Sequence, residues 1–524
     1  EGRCLAEHNW SKQSGCGLGS CQNVANLMPV KNWPTGGLLG LSIDSYQAKI
    51  CKPVQDLKAI LRPIMTAATI TEELLTRYNV SGPRYTSYPT ADRFHDQFSE
   101  NDYVQALSGC RQGTARQPLS LYVHIPFCES LCYYCGCNKI VTRHKEWGTR
   151  YLDYLDREID LNVKALGTGR KVSQLHFGGG TPTFLSDDEL ARVMGKIRSV
   201  FELTPDAEVS VEVDPRTVTA ERLAALQIMG FNRLSFGVQD FDECVQQAVH
   251  RVQPAQQVFD LVAEARRLGF ESINVDLIYG LPLQTTVSFR KTLETIGQLR
   301  PDRIAVYGYA HLPSRFKAQR RIAEADLPPV GDKLHMLSMG IEMLTAQGYE
   351  YIGMDHFALP NDALAVAKKK GLLHRNFQGY TTQPDSDMIG LGVSSIGMVG
   401  AVYSQNAKTL DDYYAALDNN HLPVERGLIL SRDDMVRRAA IASIMCAGEL
   451  LFESFGQAWL VNAREYFARE IDDLQGMVDD GLVEITPQGV FVTETGWFMV
   501  RLVAMAFDKY LQNARNVQRY SRVL

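Results

Sequence analysis

Four cysteines lie close together in the string CESLCYYCGC at residues 128–137. Cys128, Cys132 and Cys135 are spaced by four and three residues, so their thiolates can reach three corners of a [4Fe-4S] cube. One iron would then have no protein ligand, and a small molecule could chelate it and receive an electron directly. The spacing therefore predicts a catalytic iron-sulfur centre.

The fourth cysteine, Cys137, leaves two other kinds of site open. It could close the cluster as a fourth ligand, which would give an electron carrier, or the cysteines could bind zinc. Zinc ribbons usually join two CxxC pairs across a longer stretch, and Cys135 and Cys137 are too close together to form one such pair. Because three spaced cysteines already satisfy the catalytic pattern, we interpret Cys137 as lying outside the ligand set, and its role stays open.

The elements that position these cysteines are short apolar, β-rich runs that alternate with helical stretches. Strands are predicted at residues 121–125, 173–177, 208–213, 233–238, 273–279 and 303–309. Repeated βα units imply an α/β fold with a parallel sheet, as an open sheet or a partial barrel. In both cases the loops at the carboxyl ends of the strands form the ligand face, and the cysteines follow the first strand.

The two ends of the chain differ from its middle. Residues 1–64 lack sustained periodicity, so we expect an extension that is disordered or not native, with Met65 as a plausible natural start. After residue 430 we predict a small α-rich domain at 431–524, with a helix capped by Ser431 and Asp434, a hairpin around 487–489 and a last helix from Thr495. Its acidic residues argue against a DNA-binding role and favour a structural or lid role.

Composition limits the classes of protein that remain. Hydrophobic residues make up 45% and charged residues 22% of the 524 residues, which is typical of a folded globular protein. The formal net charge of −6 argues against nucleic acid as a partner, because phosphate binding needs a basic surface. No apolar run reaches the roughly 18 residues that span a bilayer. With cysteines crowded into one segment, we expect a cytoplasmic protein without a membrane span.

The CxxxCxxC spacing resembles the signature of the radical S-adenosylmethionine superfamily. The string GGGTPT at 178–183 follows the second strand, where that superfamily has a Gly-rich loop that meets the cofactor. The resemblance implies that the amino and carboxylate groups of S-adenosylmethionine chelate the open iron, and that electron transfer yields a 5′-deoxyadenosyl radical. It also implies a partial (β/α)6 TIM-like barrel at 119–430, with 65–118 completing the active site.

Longer strings are similar to those of the oxygen-independent coproporphyrinogen III oxidase family. They occur at residues 81–90, 123–143, 213–215, 237–240, 276–282, 353–357 and 374–382, and the resemblance runs from about residue 67 to residue 524. It implies oxidative decarboxylation of two propionates of coproporphyrinogen III to vinyl groups, giving protoporphyrinogen IX in haem synthesis without dioxygen. Each decarboxylation would use one S-adenosylmethionine.

The resemblance also implies a role for individual residues. Cys128, Cys132 and Cys135 would ligate the cluster. One S-adenosylmethionine would be bound by Tyr122, Gly179, Glu212 and Ile396. A second would be bound by Tyr134, Gly180, Thr181, Gln239, Arg251, Asp276 and Ala310. Tyr122, Glu212 and Gln378 are expected to be catalytic, and Phe377 and Gln378 match positions near the second cofactor. The family also has Phe at the position of Tyr134, where stacking survives the change.

The substrate carries four carboxylates, so the mouth of the barrel should present cations. Arg84, Lys139, Arg143 and Arg375 lie in matching strings, and we predict that at least two of them contact propionates. The family precedent further implies an external electron donor and a monomer. Two alternatives remain: a haem-binding chaperone of the same superfamily branch, whose members generally lack the 81–90 string, and a radical enzyme with another substrate, such as a methylating relative.

Overall fold

A twelve-stranded mixed sheet forms the centre of the protein. The computed structural model describes residues 72–110, 117–383 and 386–512. The predictions made for residues 1–64 and for Met65 lie outside this range, and the predicted domain boundaries stay predictions. The order of the strands in the sheet is β16-β15-β14-β13-β1-β4-β5-β6-β7-β8-β10-β9. The strands are β1 Leu119–Ile125, β2 Phe127–Cys128, β3 Ile140–Val141, β4 Arg170–Gly179, β5 Phe201–Val213, β6 Arg233–Gln239, β7 Ser272–Tyr279, β8 Arg303–Gly308, β9 Glu350–Gly353, β10 His356–Ala358, β11 His374–Asn376, β12 Gly379–Thr381, β13 Met388–Leu391, β14 Ile396–Val399, β15 Val402–Asn406, β16 Val424–Ile429, β17 Glu449–Leu451, β18 Val483–Ile485 and β19 Gly489–Val492.

Helices connect the strands and cover the outer face of the sheet. The α4 helix shows how the sequence starts one of them: Ser186 and Glu189 form a reciprocal capping box at its first turn. The helices are α1 Glu72–Arg77, α2 Glu100–Cys110, α3 Glu146–Leu166, α4 Asp187–Val200, α5 Ala220–Ile228, α6 Glu243–Ala248, α7 Ala255–Arg267, α8 Thr286–Leu299, α9 Val330–Ala346, α10 Ala363–Lys369, α11 Leu410–Asp418, α12 Arg432–Ala447, α13 Phe452–Trp459, α14 Ala463–Tyr466, α15 Ala468–Asp473, α16 Gln475–Asp479, α17 Glu494–Trp497, α18 Val500–Ala506 and α19 Lys509–Gln512.

The six predicted strands are confirmed as β1, β4, β5, β6, β7 and β8, which are neighbours and run parallel. Their side chains alternate between two environments, as the period of two in a strand requires. In β1, Leu121, Val123 and Ile125 are fully buried in the hydrophobic core, whereas Tyr122 and His124 line a cavity on the other face. The predicted partial barrel therefore has one apolar face, which packs in the core, and one polar face, which lines a cavity.

The sheet extends beyond the six predicted βα units at both edges. At one edge β13 pairs with β1 in parallel, and β14, β15 and β16 follow in antiparallel pairs. At the other edge β10 and β9 add to β8 in antiparallel pairs. These edge strands are three to six residues long, too short to produce a clear periodic pattern in the sequence.

After residue 430 the described chain forms the 16-residue helix α12, several short helices and a three-stranded sheet. Ser431 and Asp434 cap α12 as predicted, and β18 and β19 form the predicted hairpin. The prediction of one last helix from Thr495 is wrong, because the segment forms the three short helices α17, α18 and α19. Thr493 caps the first of them, and Gly496 approaches the Leu482 carbonyl so closely that no side chain would fit there. Within the described residues no helix is both long and apolar enough to cross a membrane.

Candidate active site

A cavity of about 550 Å³ lies on the polar face of the sheet, and we call it the inner cavity. Each of the six parallel strands contributes side chains to its wall, so it lies inside the curve of the sheet. Six of the residues predicted for catalysis or cofactor binding line it, namely Tyr122, Gly179, Glu212, Asp276, Gln378 and Ile396. Cys137 also reaches this cavity, which joins it to the cysteine loop.

Glu212 is held in its ionised form at the end of β5. It accepts a hydrogen bond from the Gly179 backbone N–H at 3.1 Å, and its Oε1 lies 3.4 Å from Nε2 of His176. Burial alone would raise its pKa, but His176 and the Gly179 N–H outweigh burial and lower the pKa below its usual value. The inner cavity therefore contains a fixed negative charge, which suits a cationic ligand.

Tyr122 and His124 form a polar pair at the end of β1. Nε2 of His124 lies 3.1 Å from the Asn138 carbonyl oxygen, which can only accept, so Nε2 carries the ring proton. Nδ1 can then accept from the Tyr122 hydroxyl at 3.1 Å. Burial lowers the pKa of His124, which keeps the ring neutral and in this tautomer. The Tyr122 ring is also stacked on His176, with ring centroids 5.9 Å apart.

Asp276 provides a second carboxyl group in the inner cavity. It accepts hydrogen bonds from Asn274 Nδ2 at 2.9 Å and from Ser235 Oγ at 3.3 Å. Burial, together with the nearby charge of Glu212, raises its pKa to about 6. The site thus contains two carboxyl groups with separated pKa values, of which Asp276 is the one that gains a proton at mildly acid pH.

The three predicted cluster ligands lie on the loop that follows β1. Cys128 ends β2 and receives a hydrogen bond from Thr181 Oγ1 at 3.5 Å. Cys132 receives hydrogen bonds from two guanidinium groups, those of Arg216 at 3.5 Å and Arg251 at 3.4 Å. These two cationic donors would balance the negative charge of an anionic cluster bound through this sulfur. The loop therefore suits an anionic thiolate-bound cluster.

The positions of the cysteine side chains can be compared with those expected for a zinc ion and for an iron-sulfur cluster. In the described residues no three His, Cys, Asp or Glu side chains converge on one point where a single ion could bind. A cube has its three thiolates on different irons, so they need not converge. The thiols of Cys135 and Cys137 are close enough to share a hydrogen bond, and the interaction lowers the pKa of Cys135. The choice between three and four cysteine ligands stays a prediction.

The remaining predicted residues lie on the cysteine side of the site. Gln319 donates hydrogen bonds to the carbonyl oxygens of Tyr134 at 2.9 Å and Ala310 at 3.2 Å, which ties these two positions together. Gln239 ends β6 in the left-handed backbone region with φ 72°. The predicted residues thus form two groups, one in the inner cavity and one around the cysteines. Asp276, predicted with the second group, lies in the first.

Gly180 explains why the Gly-rich string follows the second parallel strand. A Cβ at this position would lie 2.7 Å from the Phe127 carbonyl oxygen and 2.8 Å from the Pro126 carbonyl carbon, both backbone atoms of the cysteine loop. The backbone N–H groups of Gly180 and Thr181 donate to Ile125 and Phe127, each at 2.8 Å. Only glycine allows this approach of two backbones.

The four predicted substrate cations lie in different surroundings. Arg84 pairs with Asp355, and Arg375 Nη2 donates to the Arg84 carbonyl oxygen at 3.2 Å, so these two are neighbours. Lys139 donates to the Cys135 carbonyl oxygen at 3.3 Å, and Arg143 is exposed. Arg375 also lies over the ring of Tyr380, which lines the inner cavity, and Lys139 directly follows the lining residue Asn138.

Sequence reasoning missed several polar residues of the inner cavity. These include His124, His176, Ser210, Ser235 and Asn274. The sequence did contain a signal for them. Each lies two positions along its strand from a predicted site residue or from another polar residue, and therefore on the same face of the sheet. In a parallel sheet with both faces packed, strands read as continuous apolar runs. Polar residues at alternate positions of several neighbouring strands indicate a cavity.

The comparisons with known proteins agree with this site. The Radical SAM superfamily model matches residues 122–296, and the HemN C-terminal domain model matches residues 430–499. The chain is 49% identical over 451 residues to the oxygen-independent coproporphyrinogen III oxidase of Escherichia coli K12, covering 86% of this chain and 98% of that protein. It is 48% identical over 454 residues to the protein of the same name from Pseudomonas aeruginosa, covering 86% and 98%.

A solved structure is similar over nearly its whole length. The coproporphyrinogen III oxidase (HemN) from Escherichia coli, described as a radical SAM enzyme, matches with a TM-score of 0.78 and 48% identity, covering 82% of this chain and 97% of that chain. The fold and the cysteine loop together define a radical SAM enzyme. The chain belongs to the oxygen-independent coproporphyrinogen III oxidase family.

Replacing Asp214 by Ala is expected to destabilise the cysteine side of the site. Asp214 accepts from Arg216 at 2.6 Å and from Arg251 at 3.0 Å, and it is buried. Its loss leaves two guanidinium groups without their carboxylate, which costs about 3–5 kcal/mol when the pair is buried. Urea denaturation followed by circular dichroism measures the change, with the exposed Asp260→Ala as control. Equal stability of both variants would contradict the role given to Asp214.

Proposed function

We propose that the protein catalyses the oxidative decarboxylation of two propionate side chains of coproporphyrinogen III to vinyl groups without dioxygen. The product is protoporphyrinogen IX, an intermediate of haem synthesis. The observation that carries this proposal is the near full-length match to oxidases of this name, which includes the C-terminal domain. The inner cavity beside the three cysteines supplies a place for the reaction.

The residues present fit a [4Fe-4S] cluster and S-adenosylmethionine, which membership of the radical SAM superfamily implies. Cys128, Cys132 and Cys135 would hold the cluster, and Arg216 and Arg251 would balance its negative charge. When bound, cluster and cofactor together supply a 5′-deoxyadenosyl radical that can take hydrogen from an unactivated propionate carbon. The role of the protein is to orient the reactants and to exclude water from them.

Two S-adenosylmethionine molecules are proposed, one for each of the two residue groups. In the inner cavity, ionised Glu212 would attract the ammonium or sulfonium charge, while Tyr122 offers an aromatic face and Gly179 and Ile396 complete the wall. Around the cysteines, Arg251 would pair with the methionyl carboxylate and Gln239 would contact the ribose. Tyr134, Gly180, Thr181 and Ala310 would surround this second molecule, whereas Asp276, which was predicted to contact it, lines the inner cavity.

Gln378 and Tyr122, which both line the inner cavity, are proposed to act on the substrate. Nε2 of Gln378 is buried and has no hydrogen-bond partner among the described residues. It can therefore donate to a propionate carboxylate before that group leaves as carbon dioxide. The Tyr122–His124 pair can hold or pass a proton at the Tyr122 hydroxyl.

The partners follow from the chemistry of the reaction. Reduction of the cluster needs an external electron donor, and loss of carbon dioxide with one electron needs an acceptor. We further propose that the protein is a cytoplasmic monomer that takes no nucleic acid as a partner.

An anaerobic assay tests the proposed activity. Reconstituted protein is mixed with dithionite, S-adenosylmethionine and coproporphyrinogen III, and the products are followed by chromatography and mass spectrometry. We expect 5′-deoxyadenosine and protoporphyrinogen IX from the wild type and neither product from Cys132→Ser. Cys244→Ser, which removes an exposed cysteine on α6, should match the wild type. A product heavier by a methyl group would identify a methylating enzyme, and tight haem binding with neither product would identify a haem chaperone.

Counting bound cofactor tests the two-site proposal. Equilibrium dialysis with labelled S-adenosylmethionine is expected to give two molecules for each wild-type chain. Glu212→Gln removes the charge that holds one of them, so one site should weaken by at least about 10-fold, in line with the loss of a charged hydrogen bond. The control is Glu221→Gln, which alters an exposed carboxylate on α5. One molecule bound to the wild type, or no effect of Glu212→Gln, would contradict the proposal.

A further inference from the structure

A second cavity, of about 480 Å³, lies beside the inner one, and we call it the outer cavity. Its walls come from parts of the chain that are far apart in sequence: the segment 85–88, the β11–β12 hairpin with its flanks, the strands β13–β15, and α12 with the end of α13 in the C-terminal domain. None of the three predicted cluster cysteines lines it, and of the residues predicted to lie near S-adenosylmethionine only Phe377 does. Its volume falls within the roughly 300–1,000 Å³ of small-molecule sites.

The outer cavity adjoins the inner cavity at two side chains. Phe377 and Met388 line both of them, so these two residues lie where the cavities adjoin. Phe377 is fixed there by an edge-on contact with Tyr403, with ring centroids 5.8 Å apart. A ligand in the outer cavity would therefore need only to pass these two side chains to place a substituent in the inner one.

The walls of the outer cavity suit a large, polarisable ligand. Four methionines line it, namely Met388, Met398, Met435 and Met445, together with aromatic rings that include Tyr85 and Tyr88. Methionine side chains adapt their shape and make favourable contacts with aromatic faces. These residue types fit the pyrrole rings of a tetrapyrrole better than they fit a small polar cofactor.

A partly unpaired guanidinium group lies at the junction of the two cavities. Arg375 lines the outer cavity and lies over the ring of Tyr380, which lines the inner one. Its Nη2 donates to the Arg84 carbonyl oxygen, but Nε and Nη1 are buried and have no hydrogen-bond partner among the described residues. A buried donor without a partner costs free energy unless a ligand provides an acceptor.

The surroundings of Arg375 also carry excess positive charge. Arg84 and Arg501 are close enough for the charges to repel, and burial together with this repulsion lowers the pKa of Arg501 to about 9. Asp355 pairs with Arg84, and Arg501 donates to backbone carbonyl groups of Gly82 and Pro83. An anion at the Nε and Nη1 edge of Arg375 would satisfy its donors and relieve the repulsion.

We propose that the outer cavity holds the macrocycle of the tetrapyrrole substrate and that Arg375 binds one of its propionate carboxylates. This inference rests on the proposed function, because it takes the substrate class from there. The macrocycle lies between the 85–88 segment and α12, and a second propionate reaches past Phe377 and Met388 into the inner cavity. The N-terminal segment and the C-terminal domain thereby form the substrate site together.

Binding of coproporphyrin III, the fluorescent oxidised macrocycle, to the reconstituted full chain tests this proposal without turnover. Arg375→Gln is expected to weaken binding by at least about 10-fold, as loss of a charged hydrogen bond does, with a smaller loss for Arg375→Lys. Ala439→Trp, which fills the outer cavity from α12, should weaken binding to a similar extent. Arg267→Gln and Ala415→Trp make the same changes at exposed positions and should bind like the wild type.

The tetramethyl ester of coproporphyrin III separates a contact from a structural effect. The ester has no carboxylates, so Arg375→Gln should leave its affinity unchanged while Ala439→Trp still weakens it. Wild-type affinity for coproporphyrin III in both variants, or an equal loss for acid and ester in Arg375→Gln, would overturn the proposal. Either result can occur in a protein that decarboxylates coproporphyrinogen III, so it would leave the proposed function intact.

Discussion

The site depends on the close contact between the Gly-rich string and the cysteine loop. Gly180 lies against the backbone of Pro126 and Phe127, and hydrogen bonds from Gly180 and Thr181 to Ile125 and Phe127 fix the two segments together. Any side chain at position 180 would push the cysteine loop away from the sheet. The ends of β1 and β4 therefore determine where the three thiolates lie relative to the inner cavity.

Charge is arranged around this contact in two opposite ways. On the cysteine side, Asp214 holds Arg216 and Arg251 so that both donate to Cys132, which places two positive charges beside the loop proposed to hold an anionic cluster. In the inner cavity, ionised Glu212 provides a negative charge beside Gly179. A ligand with a carboxylate at one end and a positive charge near its middle would match both the two arginines and Glu212.

Much of this arrangement could be predicted from the sequence, and the failures have physical reasons. The six parallel strands were predictable because each is a long β-rich run. The position of the cysteines directly after the first run predicted the cysteine loop at the end of that strand. The short strands β9, β10 and β13 were not, since three or four residues show no period. The helix predicted from Thr495 is divided into α17, α18 and α19, and the close approach of Gly496 to the Leu482 carbonyl is a contact that no local pattern reveals. The roles of Tyr122, Gln378 and the S-adenosylmethionine contacts stay predictions.

We propose that three cysteines hold the cluster and leave one iron open to S-adenosylmethionine. Electron paramagnetic resonance of the dithionite-reduced protein tests it directly, with and without cofactor labelled by ¹⁷O and ¹⁵N in its methionyl group. We expect the cofactor to shift the signal, both labels to couple to the cluster, and Cys137→Ser to leave the spectrum unchanged. A spectrum that is unchanged by the cofactor but altered in Cys137→Ser would show a closed four-cysteine cluster and would contradict an open iron.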